Sequence, residues 1–178
     1  MTLADQLTVG RAVSVPIVVA LFAVDFGNHA YWGTAVFAIA MLTDQVDGWL
    51  ARRSGTSTNL GKILDPVADK LLVMATLIVL VPVVPAWMVA VIVAREFAVS
   101  GLRLAALERG VVVSARDLSK LKTWSQSVAV CLAGLAAGGA FSDDVAWWGL
   151  LVAVVLTVVS GLEYAWQAPS LLRGRQPA

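Results

Sequence analysis

Twenty-four consecutive residues, Leu71 to Ala94, carry no charge. A helix needs about 20 mostly apolar residues to cross the hydrocarbon core of a bilayer, so this run alone restricts the chain to folds that hide such a segment from water. In its middle stands "VPVVP", with Pro82 and Pro85. Proline lacks the N–H that a continuing helix needs, and two within four residues favour a turn. The run is therefore either one span or two helices that turn at the prolines.

Charge bias separates the two. Six spans are expected at roughly 6–26, 30–53, 60–82, 86–109, 118–141 and 145–168 from the length rule. In that reading every one of the 13 Lys and Arg residues falls on one side of the membrane. The other side holds Asp25, His29, Asp143 and Asp144. A single span over 71–94 would scatter the basic residues over both faces. The positive-inside rule favours the hairpin, with both termini cytoplasmic, and Tyr31, Trp32, Trp87, Trp147 and Trp148 then line the outer interface as a belt.

Composition agrees. The 178 residues are 59% hydrophobic and 14% charged, whereas soluble domains carry about 25% charged residues. The fold class expected is an all-α integral membrane protein, a six-helix bundle in a single domain over 1–178, with a polar cavity at the cytoplasmic side. A net charge of +1 points to no particular partner and gives no reason to expect nucleic acid. Asp5 and Arg11 precede the first apolar run, and no convincing small-residue cleavage site follows, so that run reads as a permanent helix. Cys131, the single cysteine, reads as helix packing, as do Gly134 and Gly138 at small-xxx-small spacing. His29 reads as a solvated residue of an outer loop.

One stretch breaks the apolar pattern: "TDQVDGWLARRSGTSTNLGKILDPVADK", Thr43 to Lys70. Asp44 and Asp47 are three apart and share a helix face, and Asp65 and Asp69, four apart, do the same. The loop between the two helices is short enough to set them side by side, antiparallel. Four carboxylates then converge near the cytoplasmic mouth of the bundle. They must be neutralised by metal, by basic side chains such as Arg52, Arg53, Lys62 and Lys70, or by protons. All-oxygen donors suit Mg²⁺, Mn²⁺ or Ca²⁺ rather than zinc. Two such ions in one cluster suit phosphoryl transfer. Gly48 and Ala51 leave room for a ligand against the helix.

The stretch matches D-x2-D-G-x2-A-R-x8-G-x3-D-x3-D at all eight fixed positions, Asp44, Asp47, Gly48, Ala51, Arg52, Gly61, Asp65 and Asp69. It thereby resembles the signature of the CDP-alcohol phosphatidyltransferases. The resemblance implies a membrane enzyme that moves a phosphatidyl group from a CDP-linked lipid to an alcohol and releases CMP. It implies Mg²⁺ or Mn²⁺, two ions, on Asp44, Asp47 and Asp65, with Asp69 as general base and possible fourth ligand. It further implies that Gly48, Ala51, Arg52 and Gly61 lie along the CDP moiety, that displacement is direct, and that the enzyme is a homodimer among membrane lipids. Thr8 and Arg11 are candidates to approach the nucleotide from the first helix.

Outside the signature, "LDPVADKLLV", "AREFAVSGLR" and "LSKLKTWSQS" are similar to the bacterial phosphatidylglycerophosphate synthase branch of that family. The implied substrates are CDP-diacylglycerol and sn-glycerol 3-phosphate. A phosphorylated acceptor needs cations beside the metals, and arginine offers phosphate two donors. The candidates are Arg95, Arg103, Lys120 and Lys122, the two lysines standing just ahead of the fifth helix. Arg95, beside Glu96 after a long apolar run, is expected to be buried and paired. The alternatives are phosphatidylglycerol as acceptor, giving cardiolipin, or inositol phosphate. An ion or metal transporter, or an inactive scaffold, is the alternative of another class, since intramembrane carboxylates also build ion paths.

Overall fold

In lipid a backbone satisfies its own hydrogen bonds only as a helix or a closed barrel, and the apolar runs take the helical solution. The computed structural model describes residues 3–54, 70–108 and 117–172, with side chains over 10–43, 70–108 and 121–166. Among the described residues there are six helices and no strand. They are α1 (Leu3–Ala23), α2 (His29–Ser54), α3, described over Lys70–Val79, α4 (Ala86–Glu108), α5 (Asp117–Ala137) and α6 (Asp143–Leu172). Asp143–Trp166 of α6 is long and apolar enough to cross a membrane, and Gly10–Ala23 and Lys70–Val79 are shorter apolar segments.

The proline pair ends a helix, as the sequence implies. α3 stops at Val79, and the chain turns with Val83 N–H and Val84 N–H both donating to the Leu80 carbonyl, at 2.9 and 3.1 Å. α4 then starts directly after Pro85. The uncharged run is thus a hairpin. The other outer turns use backbone geometry suited to their residues. α5 ends with Gly139 at φ 81°, where Ala140 N–H bonds Leu135 O and Gly139 N–H bonds Ala136 O. That double bond closes a helix C-terminus on a left-handed residue, which glycine adopts without a Cβ penalty.

Between α1 and α2, Asn28 takes φ 63°. The turn corrects one expectation. His29 is not a solvated loop residue but the first residue of α2, with its side chain 30% exposed. Its Nδ1 lies 3.3 Å from the Leu21 carbonyl, and its ring packs on Phe26 at 5.9 Å. The left-handed Asn28 brings the helix start back against the end of α1.

The core runs through the centre of the bundle, with Val18, Phe37, Leu72, Leu77, Met88, Ile92, Val130 and Leu150 almost fully buried. α5 packs most extensively on α6, and α1 on α2. The α5–α6 seam is small on both sides, with Ala129, Ala133, Ala146 and Ala153 buried. Small side chains let helices approach where no water drives them together. α2 and α5 approach most closely at Gly134, where a Cβ would run into Thr34 Oγ1 and stand 3.1 Å from the Phe22 ring. Gly138 likewise faces the Tyr31 ring. Gly134→Ala is therefore expected to lower the melting temperature in detergent, since overpacking costs about 1–3 kcal/mol. Gly101→Ala, inside α4 with nothing within 4 Å of the new Cβ, is the control that should hold or slightly raise it, because alanine favours a helix over glycine.

Large apolar side chains face outward on all six of these helices, among them Ile17, Ile39, Ile78, Phe97, Val128 and Leu162. In water such a surface would mark an interaction site or drive aggregation; against acyl chains it is the ordinary solvent-facing surface. The ends of the bundle differ. Tyr31, Trp32, Trp87, Trp147 and Trp148 sit at the starts of α2, α4 and α6, with Trp147 and Trp148 edge to face at 4.7 Å. Lys70, Arg95, Arg103 and Lys122 gather toward the opposite end.

Candidate active site

A polar cavity of about 170 Å³ opens between α3, α4 and α5. Val73, Met74, Ile92 and Val99 form its apolar wall. Lys70, Arg95, Arg103 and Lys122 bring four cations to it, and Glu96 one carboxylate. α4 supplies Arg95, Glu96 and Arg103 because residues three, four, seven and eight apart share a helix face. Lys70 is the first described residue of α3, and Lys122 lies on the second turn of α5.

Glu96 is the electrostatic centre. It is 4% exposed. Its Oε1 accepts from Lys122 Nζ and, at 3.0 Å, from Arg95 Nη1. Its Oε2 lies 3.8 Å from Lys70 Nζ. Lys70 also donates to Ser100 Oγ at 2.5 Å, and Ser100 donates on to the Glu96 carbonyl at 2.6 Å. Among the described residues one carboxylate therefore serves three cations, and the described side chains of the cavity carry more positive than negative charge. Burying that surplus is expensive unless an anion joins it.

The arginines are held from behind by α6. Arg95, its side chain 10% exposed, donates through Nη2 to Ser160 Oγ at 2.7 Å. Arg103 donates through Nη2 to the Tyr164 hydroxyl, and its guanidinium lies 5.0 Å from the centre of that ring. The Nε of each arginine is buried and has no hydrogen-bond partner. Gln126, which also lines the cavity, donates to Thr157 Oγ1 at 2.9 Å and ties α5 to α6.

The structure thus brings three of the four cations expected for an acceptor's phosphate, Arg95, Arg103 and Lys122, into one cavity. Arg95 is buried and paired with Glu96, as expected. Lys122 does not precede the fifth helix but lies inside it, 4% exposed, because α5 begins at Asp117 and its second turn already packs against α4. Lys120 is on the first turn of α5, outside the described side chains.

The aspartate signature stands differently. α2 continues unbroken to Ser54, so Asp44 and Asp47 keep the one-turn spacing that puts them on one face. Gly48, Ala51 and Arg52 follow on the same helix, and Thr8 lies on α1. The side chains at these positions lie outside the described residues, and so do Gly61, Asp65 and Asp69. Arg11 is buried on the inner face of α1. Among the described residues no three His, Cys, Asp or Glu side chains converge as a metal site would require. Lys70, at the cavity, directly follows Asp69 in the chain.

Lys70, Ser160 and Tyr164 were not among the expected site residues. Lys70 reads in sequence as a counter-ion of the aspartates. The other two sit in the long apolar run of α6, where an isolated hydroxyl looks like packing. The interruption of that run by "SGLEY", 160–164, is the one sequence signal that could have marked them.

The chain is also similar to known proteins over most of its length. The family model described as CDP-alcohol phosphatidyltransferase matches residues 1–159. A protein of Bacillus subtilis (strain 168) named CDP-diacylglycerol–glycerol-3-phosphate 3-phosphatidyltransferase is 43% identical, over 91% of this chain and 92% of the relative. A Mycobacterium tuberculosis (strain ATCC 25618 / H37Rv) protein named "Probable phosphatidylglycerophosphate synthase" is 38% identical, over 93% of this chain and 81% of the relative. A Rickettsia typhi protein bearing the same name as the Bacillus one is 37% identical, over 91% of this chain and 94% of the relative. The signature aspartates, the cation-lined cavity and the apolar outer surface therefore sit in a chain that aligns with these relatives over most of its length, and the protein belongs to the CDP-alcohol phosphatidyltransferase family.

Proposed function

We propose that the protein transfers the phosphatidyl group of CDP-diacylglycerol to sn-glycerol 3-phosphate, releasing CMP and giving phosphatidylglycerophosphate. The observation that carries this reading is the cavity in which, among the described residues, Lys70, Arg95 and Lys122 share one carboxylate, Glu96, and Arg103 lines the same space with no carboxylate of its own. A phosphorylated alcohol supplies the missing negative charge, and guanidinium groups suit phosphate oxygens. Phosphatidylglycerol, a lipid acceptor, would need fewer cations around its hydroxyl. Inositol phosphate would also suit the charge; the names of the relatives favour glycerol 3-phosphate over it.

In this reading the chain forms one membrane domain that crosses the bilayer several times. The cavity faces the cytoplasm, where a water-soluble phosphorylated acceptor resides, and both termini are on that side. Asp44, Asp47 and Asp65, together with Asp69, would hold two Mg²⁺ or Mn²⁺ ions. The donor set fits: it is all oxygen, as hard divalent ions prefer, and α2 keeps Asp44 and Asp47 one turn apart. Bound there, the ions supply electrostatic stabilisation of the pyrophosphate as CMP leaves. Gly48, Ala51, Arg52, Gly61 and Thr8 line the CDP moiety. The cavity cations hold the acceptor by its phosphate so that its hydroxyl can reach the β-phosphorus, and Asp69 takes the hydroxyl proton. The active form is a homodimer.

CMP release by the purified protein tests the reading. CDP-diacylglycerol is supplied with Mg²⁺ or Mn²⁺, and glycerol 3-phosphate, inositol phosphate, inositol, serine and phosphatidylglycerol are offered separately. Release is expected with glycerol 3-phosphate and is expected to stop on chelation of the metal. Release with phosphatidylglycerol or inositol phosphate alone would replace the acceptor. No release with any acceptor, from folded protein, would sink the reading and favour an ion or metal transporter.

A further inference from the structure

We propose that Ser160 and Tyr164 of α6, with Gly161 between them, are positioning residues that fix the two acceptor-binding arginines while leaving their charge unspent. This rests on the reaction proposed above. Ser160 and Tyr164 lie one turn apart on one face of α6, and both are buried. Each takes one guanidinium of α4: Ser160 Oγ accepts from Arg95, and Tyr164 Oη from Arg103. Ser160 donates its own proton to the Thr157 carbonyl at 3.2 Å, which leaves its lone pairs for the arginine. The Tyr164 ring lies 5.0 Å from the Arg103 guanidinium carbon and 5.8 Å from that of Arg95, so one aromatic ring serves both.

The chemistry of these partners is the point. A carboxylate would orient an arginine equally well but would cancel its charge. Hydroxyls and a ring face orient it and leave the charge for an incoming anion. Among the described residues Arg103 pairs with no carboxylate, and Arg95 shares Glu96 with Lys122 and Lys70. Gly161 completes the arrangement by its lack of a side chain. A Cβ there would stand 3.1 Å from Arg95 Cγ and 3.5 Å from its Nε, so any side chain would make the arginine stem give by a few tenths of an ångström. A guanidinium already fixed loses less freedom on binding, and the affinity for phosphate rises accordingly.

The test is steady-state kinetics of the full chain, varying each substrate in turn. Ser160→Ala and Tyr164→Phe, read independently, are each expected to raise the KM for glycerol 3-phosphate about tenfold, the scale of one hydrogen bond to a charged group. The KM for CDP-diacylglycerol should not move. Ser160→Thr, which keeps the hydroxyl, should stay near the parent. On an Arg103→Ala background, Tyr164→Phe should add nothing further, because its effect passes through that arginine. Equal shifts in both KM values, or the full Tyr164→Phe effect persisting without Arg103, would overturn the inference. If Arg103→Ala raises the acceptor KM and neither α6 variant does, the α6 assignment alone fails. If Arg103→Ala leaves that KM unchanged, the acceptor site itself is misplaced and the inference falls with it.

Discussion

Asp47→Asn is expected to lower CMP release by about a hundredfold to a thousandfold, the loss typical when a preorganised electrostatic contact to a developing charge is removed. The amide keeps the size and polarity of the carboxylate, so helix α2 should form as before and the melting temperature should hold. What changes is the charge of the donor set proposed for Asp44, Asp47, Asp65 and Asp69. With one anionic oxygen ligand gone, Mn²⁺ affinity should fall in parallel with activity, measurable by titration of the purified protein. In the proposed reading glycerol 3-phosphate should still bind, because the cations proposed to hold its phosphate are Arg95, Arg103, Lys122 and Lys70, which line the cavity. Retention of more than a tenth of the activity would mean that the aspartates are a structural cluster rather than the catalytic centre.

Removal of Glu96 should be the most destabilising single truncation in the described core. It leaves Lys122, itself 4% exposed, and Arg95 without their shared carboxylate. Breaking a buried ion pair from one side costs about 3–5 kcal/mol, because the remaining charge stays buried and unpaired. Glu96→Ala is therefore expected to show a large drop in melting temperature in detergent. Glu96→Ala combined with Lys122→Met should recover part of the loss, since it removes the most buried of the three cations that Glu96 serves. A Glu96→Ala protein as stable as the parent would show that the cation cluster does not depend on this carboxylate. Glycerol 3-phosphate offers a second readout. Glu96→Ala should gain more thermal stability from added acceptor than the parent does, because the phosphate replaces the missing charge and a ligand of the folded state stabilises it by mass action.

The parts of this protein that were legible in its sequence are those that depend on neighbours along the chain. The proline pair at 82 and 85 ended a helix because proline acts on its own turn. The spacing of Asp44 and Asp47 survives in the fold because α2 runs through both. Arg95 could be expected to pair with Glu96 because one follows the other. Gly134 and Gly138 could be expected at a helix contact because their spacing defines one face. The cations of the cavity were mostly legible too, since each lysine or arginine in an apolar setting is conspicuous.

What could not be read was which distant groups meet. Ser160 and Tyr164 lie 65 and 61 residues from the arginines they hold, in a run that looks uniformly apolar. The role of Glu96 was half visible: its neighbour Arg95 was expected, and its bonds to Lys122 and Lys70 were not. The loop character assigned to His29 failed for the same reason, since the turn at Asn28 set it against α1. By itself the sequence determined that the chain is helical, roughly where the described helices lie, and that the uncharged run must turn at the prolines; α5 ends four residues sooner and α6 four residues later than expected. The tertiary structure decided how each helix is rotated and how far it is slid against its neighbour. A helix turns about 100° per residue, so one step in register exchanges a lipid-facing side chain for a cavity-facing one. That register is fixed by close contacts between remote helices, at Gly134 against Thr34 and at Gly161 against Arg95, and no local pattern in the chain encodes them.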